Sequence, residues 1–263
     1  MADAVQLNGR LAREFEHFEH HYAQEASRGI GPLSAFDQKR YTHPPSNTIF
    51  PREFYYHLLA PLKGKDTLEI ACGNGIDASI CAHNGANHHA YDITEQSIQM
   101  TQKRAQANGV ADRVHLQACG DFAQAFPGQK FDHVIGYAAL HHIPMDGLSE
   151  MVYDRLKPGG VAVFAEPVIN SKILDRLRRC LPFYHVTPTQ DEVPLNDQDI
   201  ARFAKPFDRM VRREFQCLSR IWPFFPNNWP LTVALHRLDH YLMKVPPLQR
   251  FASVVVFGLY RDR

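Results

Sequence analysis

Between residues 67 and 166, short apolar runs alternate with longer segments whose apolar residues return at helical spacing. The runs predict strands at 67–71, 88–92, 114–118, 133–137 and 161–166, and the amphipathic segments predict helices at 77–84, 95–108 and 148–156. Strands that alternate with helices require crossover connections and give a parallel sheet covered on both faces. The predicted fold class is therefore α/β, doubly wound and mostly parallel.

The flanks carry weaker patterns. Leu11, Phe15, Phe18 and Tyr22 form one apolar helical stripe, predicting a helix that lies on the body. Residues 27–51 are rich in Gly, Pro and Ser and read as a covering loop. Within them "YTHPPSNTIFP" cannot be continuous helix, because a residue before proline is pushed out of the α region. "REFYYHLLAPL" has helical spacing at Phe54, His57/Leu58 and Leu62. After Glu166, "SKILDRLRRCL" reads as a basic helix, Asn196/Asp197 as the start of a capped helix and "MVRREFQCLSRI" as a strand. "LTVALHRLDHYLMKV" places Leu231, Leu235, Leu238, Leu242 and Val245 on one helical face, and "FASVVVFGLY" is a β-branched final strand, expected to be antiparallel.

Composition narrows the partners. The 263 residues are 44% hydrophobic and 22% charged, which supports one large core or a core with a small cap. Lys and Arg number 29 against 28 Asp and Glu, so no strong field steers the chain toward nucleic acid or an anionic membrane. The polar opening residues and the lack of any run near the roughly 18 apolar residues of a membrane span predict a soluble, cytoplasmic protein. Cys72, Cys81, Cys119, Cys180 and Cys217 are an odd number without C-x-x-C spacing, which argues against a disulfide framework or a zinc ribbon.

In an open α/β sheet the ligand crevice lies at the carboxyl ends of the strands, where strand order reverses. The residues to inspect are therefore Glu69 to Gly75, Asp92, Asp121 and Tyr137. Gly73 and Gly75 allow a sharp turn and a close ligand approach. Asp92 lies 17 positions after Gly75 and ends "HHAYD", where a carboxylate can accept from both hydroxyls of a ribose. Gly73, Gly75 and Ala78 also match the G-x-G-x-x-A pattern of a dinucleotide site. Glu69 opposes that reading. A carboxylate ending an apolar strand carries a desolvation cost and repels a pyrophosphate, whereas a ligand with an ammonium group relieves the cost.

On these residues the chain resembles the class I S-adenosylmethionine-dependent methyltransferases. "LEIACGNG" is similar to their motif I, "YDIT" to the ribose-binding acid that follows, "GDF" to the adenine-site acid and "LKPGG" to the turn before the fifth strand. The run "FDHVIGYAALHHIP...LKPGGVAVFAEP" resembles in particular the type 11 branch, which includes ubiquinone and menaquinone C-methyltransferases. The motifs keep the family's order over residues 65–167, and the resemblance is thin beyond them.

The resemblance implies a Rossmann-like sheet, S-adenosylmethionine as cofactor and S-adenosylhomocysteine as product. It places Glu69 on the methionine ammonium and the turn Ala71, Cys72, Gly73, Asn74 and Gly75 against methionine and ribose. Asp92 takes the ribose hydroxyls, Ile93 packs on adenine, and Asp121 and Phe122 meet the adenine amino group and ring face. Tyr137 ends the fourth strand beside them. Ala71 stands where the family usually has glycine, and Glu69 where it usually has aspartate.

Other residues have competing readings. His141 and His142 follow the fourth strand, where either imidazole can take a proton from an acceptor hydroxyl or amine, or merely position its loop. Glu166 can line the acceptor side or bond to backbone. Asp77 reads as a helix N-cap ahead of a ligand contact, and one residue can do both. His17, His20 and His21 share a helical face and His83, His88 and His89 cluster, but no matching cysteine or acid spacing accompanies them, so no metal is expected. The aromatic "IWPFFPNNW" is interrupted by prolines and so is not an amphipathic membrane helix; it reads as a lipid-touching loop, plain core or an acceptor-pocket wall, the last being favoured.

The implied reaction is methyl transfer by in-line displacement at a sulfonium to a small acceptor bearing a ring or chain. Residues 1–64 would supply N-terminal helices and a lid loop, 65–167 the cofactor-binding core, and 168–263 an acceptor-side insertion with strands completing the same domain. Tyr22, Tyr41, Phe50 and Glu166 are the acceptor-side candidates. A nicotinamide oxidoreductase would need the dinucleotide reading, a regulator would bind the cofactor without turnover, and an RNA methyltransferase would need a longer basic stripe than "LRR" and "VRR" provide.

Overall fold

The computed structural model describes Phe15, Glu16, Phe18, Arg176 and residues 29–171, 194–224 and 229–263. Among them, seven strands form one sheet in the order β3-β2-β1-β4-β5-β7-β6. The strands are β1 (Asp66–Ile70), β2 (Asn87–Asp92), β3 (Val114–Ala118), β4 (Phe131–Tyr137), β5 (Leu156–Pro167), β6 (Arg209–Phe215) and β7 (Val254–Arg261). β1 to β5 pair in parallel, and β7 runs antiparallel between β5 and β6. The sheet builds outward from β1 in one direction through β2 and in the other through β4. The order therefore reverses between β1 and β4, which opens a crevice at their carboxyl ends.

Helices α1 (Ala35–Arg40), α2 (Pro51–Leu59), α3 (Ile76–His83), α4 (Glu95–Ala107), α5 (Leu148–Arg155), α6 (Asp197–Phe203), α7 (Trp229–Leu242) and α8 (Pro246–Gln249) surround the sheet. Successive strand residues serve opposite faces. Val134, Ala162, Phe164 and Phe257 join a core with Leu148 and Val152 of α5 and Phe203 of α6. Ile135, Val161, Val163 and Val256 join another with Tyr55, Tyr56 and Leu59 of α2 and Ile80 of α3. Burial on both faces explains why these strands read as unbroken apolar runs.

Several expectations are corrected. Residues 27–51 are not all loop: Ser34 accepts from the Asp37 backbone N–H at 3.0 Å and caps α1. The buried side of α2 is formed by Phe54, Tyr55, Tyr56 and Leu59, while His57 and Leu58 are half-exposed. "LKPGG" does not merely precede β5, because Leu156 already pairs with Phe131 across a register shift. β6 stops at Phe215, short of the predicted Ile221. Gln216 adopts φ +60°, and the buried Asp239 carboxylate then accepts the backbone N–H groups of Cys217, Leu218 and Ser219 at 2.7–3.1 Å.

That capping also turns α7 around. Its buried residues are His236 and Asp239, whereas Leu238 of the predicted apolar face is 47% exposed. Of the N-terminal stripe, Phe15 and Phe18 are helical and half-buried. Leu11, Tyr22, the histidines at 17, 20 and 21, nearly all of the basic helix at 171–181 and the centre of the 221–229 aromatic segment lie outside the described residues. Among the described residues, no helix is long and apolar enough to cross a membrane, and no group of three or more His, Cys, Asp or Glu is placed to hold a metal ion.

Candidate active site

A cleft of about 370 Å³ opens at the carboxyl ends of β1 to β4, where the strand order reverses. The turn after β1 forms its floor. Ala71, Gly73 and Gly75 all have positive φ, and a Cβ on Gly75 would sit 2.6 Å from the Thr101 Cα, so α4 packs too closely there for any other residue. From α4, Thr101 Oγ1 bonds the Gly73 carbonyl at 3.3 Å and Arg104 Nε bonds the Asn74 carbonyl at 2.7 Å. Asp92 ties the turn to β2: its Oδ2 accepts the Gly73 N–H at 3.0 Å, and its Oδ1 accepts the N–H and hydroxyl of Thr94 at 3.0 and 3.1 Å. Burial raises the Asp92 carboxyl, opposed by the bonds from Thr94 and Gly73.

Glu69 ends β1 in the cleft wall and is only 3% exposed. Its Oε2 is bonded to His88 Nε2 at 2.9 Å. Burial, reinforced by Asp77 and Asp92 and opposed by Arg52, pushes this carboxyl well above the usual range. Arg52, at the start of α2, also lines the cleft. It lies 3.5 Å from Asp77 Oδ2, and its guanidinium sits 4.1 Å from the Tyr137 ring centroid. Burial alone would lower the Arg52 guanidinium, but Asp77, with Tyr137 and Tyr56, raises it above its ordinary value. Tyr56 donates its hydroxyl to the other Asp77 oxygen. The cleft end beside β1 thus carries a buried acid and a fixed cation side by side.

The opposite end is apolar. Tyr91, Ile93, Phe122, Leu148 and Met151 line it, with Asp121 at its mouth. Asp121 caps its own turn, accepting the Gln124 N–H at 2.9 Å, and still borders the cleft. Cys119 lies beside them, its thiol pushed up to about 11 by burial and Asp121. Beyond β4, His142, Ile143 and Pro144 form a third side, where the Phe18 and His142 rings meet edge-on at 5.0 Å.

Residues 68–164 match the model of the type 11 methyltransferase domain. Over that stretch the chain is similar to this family. A ubiquinone biosynthesis O-methyltransferase from Thiobacillus denitrificans is 30% identical over 156 residues, 58% of this chain and 65% of that protein. A sterol 24-C-methyltransferase from Pneumocystis carinii is 31% identical over 131 residues, 48% of this chain and 34% of that protein. For the first three curated relatives the match spans 65%, 27% and 53% of their own length. Among solved structures, the magnesium protoporphyrin IX methyltransferase of Synechocystis with bound S-adenosylhomocysteine has a TM-score of 0.57 at 16% identity, covering 95% of this chain and 99% of that one. The N-methyltransferase NodS of Bradyrhizobium japonicum, also with S-adenosylhomocysteine, has a TM-score of 0.53 at 14% identity, covering 95% and 100%. These likenesses show that the chain has a Rossmann-like fold.

The cleft gathers most of the residues singled out from the sequence. Glu69, Ala71, Cys72, Gly73, Asn74, Asp92, Ile93, Asp121, Phe122, Tyr137 and His142 all line it, while Gly75 shapes the turn behind. Five assignments are corrected. Glu166 is fully buried, and its carboxylate takes the N–H groups of Ala139 and Leu140, both at 2.9 Å, and His141 Nδ1 at 2.8 Å, so it supports the loop after β4. His141 is buried in that support, and only His142 of the pair borders the cleft. Tyr41 packs on Tyr56, and Phe50 packs between Arg40, Trp229 and His236, both away from the cleft lining. Asp77 is not the N-cap of α3, a position held by Gly75; it lies in the first turn and lines the cleft. Tyr22 lies outside the described residues.

Sequence reasoning missed Arg52. The signal was chemical balance: the amino-acid tail whose ammonium the resemblance assigns to Glu69 would also carry a carboxylate in want of a cation, and Arg52 lies in the first turn of the helix that precedes β1.

Proposed function

We propose that this protein is an S-adenosylmethionine-dependent methyltransferase acting on a small molecule. The observation that carries the reading is the pairing, in one cleft of a methyltransferase-like domain, of two buried carboxylates ending adjacent strands, Glu69 and Asp92. A dinucleotide fits poorly there, because its pyrophosphate would share the turn with Glu69, Asp77 and Asp92. A zwitterionic amino-acid tail fits: Glu69 faces its ammonium and Arg52 its carboxylate. Asp92 holds the ribose hydroxyls, Ile93 and Phe122 flank adenine, and Asp121 meets its amino group.

The cofactor supplies an activated methyl group on a good leaving group. The chain's own contribution is positioning and exclusion of water, which can lower a barrier by as much as about 7–11 kcal/mol. The turn at residues 71–75 and Asp92 hold the cofactor end still, and the Tyr137, His142 and Phe18 side faces the acceptor. Of the two histidines singled out as bases, His142 borders the cleft, and Glu166 and His141 brace the loop that presents it. The apolar wall suits an acceptor with a ring or chain. The named activities of the quinone- and porphyrin-linked relatives support that class without fixing the atom methylated.

The test is transfer from methyl-labelled S-adenosylmethionine to a panel of phenols, catechols and amines, with His142→Ala beside wild type. Label should reach at least one ring-bearing acceptor, and His142→Ala should lose turnover while keeping S-adenosylhomocysteine affinity. Tight S-adenosylhomocysteine binding with no transfer to any acceptor would make the protein a non-catalytic cofactor binder.

A further inference from the structure

Behind the cleft wall, three buried polar side chains are linked in a row. Thr67 and Glu69 are two residues apart on β1 and share one face of the strand, and His88 of β2 sits in register with Thr67. Thr67 Oγ1 lies 2.7 Å from His88 Nδ1, and His88 Nε2 lies 2.9 Å from Glu69 Oε2. Thr67 and His88 are sealed from solvent, and Glu69 reaches the cleft. We propose that the Thr67–His88 pair is a positioning device for the amino-acid end of the cofactor, aiming the Glu69 carboxylate at the ligand ammonium. The inference rests on the cofactor reading above and adds residues to it.

The chemistry of the row is directional. A carboxylate only accepts, so His88 Nε2 carries the proton and donates to Glu69. In the neutral ring Nδ1 must then accept, and the Thr67 hydroxyl is placed to donate to it; the threonine thus selects the tautomer. Burial lowers His88 to about 3, and His89 and His115 act in the same direction, so the ring stays uncharged at neutral pH. This distinguishes His88 from a lysine or arginine in the same place. A cationic partner would satisfy Glu69 and cancel the charge the ligand needs; a neutral imidazole restrains one carboxylate oxygen and leaves the charge for the ammonium. Thr67 and His88 are therefore positioning residues, acting through Glu69 alone.

The test compares two ligands by calorimetry: S-adenosylhomocysteine, and 5′-methylthioadenosine, which lacks the amino-acid tail. Loss of a hydrogen bond to a charged group predicts that His88→Phe weakens S-adenosylhomocysteine by about tenfold or more. 5′-Methylthioadenosine affinity should not change. His88→Gln, whose amide can donate to Glu69, should recover part of the loss, and the near-isosteric Thr67→Val should show a smaller loss with the same ligand selectivity. Equal weakening of both ligands, or unchanged S-adenosylhomocysteine binding in a folded variant, would overturn the proposal. If His88→Phe does not fold, the ratio of the two affinities in Thr67→Val and His88→Gln decides. Wild type that binds neither ligand would instead overturn the cofactor reading, and this role with it.

Discussion

Two buried glutamates end parallel strands of the same sheet, each bonded to a histidine, and they do opposite things. Glu166, at the end of β5, has both oxygens occupied by two backbone N–H groups and His141. Glu69, at the end of β1, has one oxygen on His88 and faces the cleft under the influence of Asp77 and Asp92. The difference lies in the backbone that follows. After β4, Ala139 and Leu140 turn their N–H groups toward Glu166, whereas the Gly73 N–H after β1 is taken by Asp92. A buried carboxylate that lies outside the cleft with both oxygens taken braces the fold; one that reaches the cleft with an oxygen short of partners is placed to meet a cation.

The largest effect should come from emptying the saturated site. Glu166→Ala strands two buried N–H groups and a histidine and should reduce unfolding free energy by about 3 kcal/mol or more in chemical denaturation. A loss below about 1 kcal/mol would mean that the loop after β4 does not depend on Glu166. Glu69→Gln should do the reverse, weakening S-adenosylhomocysteine by at least about tenfold while leaving stability at neutral pH unchanged or higher.

The second contrast appears with pH. Because the Glu69 carboxyl is raised in the folded protein, its stabilising contribution is complete below its ordinary value of 4.5 and is lost as pH rises through the folded value. Glu69→Gln should therefore flatten the stability profile on that side. His88 runs the other way. Its value is depressed to about 3, so its contribution is present above the ordinary 6.5 and lost as pH falls toward 3. Proton NMR should find the His88 ring still neutral at pH 5; titration near 6.5 would contradict the sealed Thr67–His88–Glu69 row.

The smallest effect concerns the turn beneath Glu69. Ala71 holds φ +55°, a left-handed conformation that strains any side chain. Ala71→Gly should raise stability by about 0.5–1 kcal/mol without weakening ligand affinity.

The same contrast explains what could be read from the sequence. Buried parallel strands leave continuous apolar runs, so β1 to β4 were legible nearly residue by residue, and Glu69, Asp92 and the glycine turn followed from strand ends. The polarity of a strand-end glutamate does not reveal how many N–H groups will reach it, which is why Glu166 looked like a site residue. Arg52 was hidden because its place in the cleft arises only when α2 packs over β5 and β7. The orientation of α7 was hidden for a related reason. Its leucine stripe marked one face, but Asp239 is needed inside to cap the turn after β6, and that long-range demand outweighs the stripe.

The central claim is that Glu69 and Asp92 form one receptor for a nucleoside with an amino-acid tail. Calorimetric titration of the folded protein with S-adenosylhomocysteine, beside Glu69→Ala and Asp92→Ala, tests it most directly. The account predicts micromolar binding by wild type and sharp weakening in both variants. Absence of binding at millimolar ligand by folded wild type, or full affinity in either variant, would contradict it.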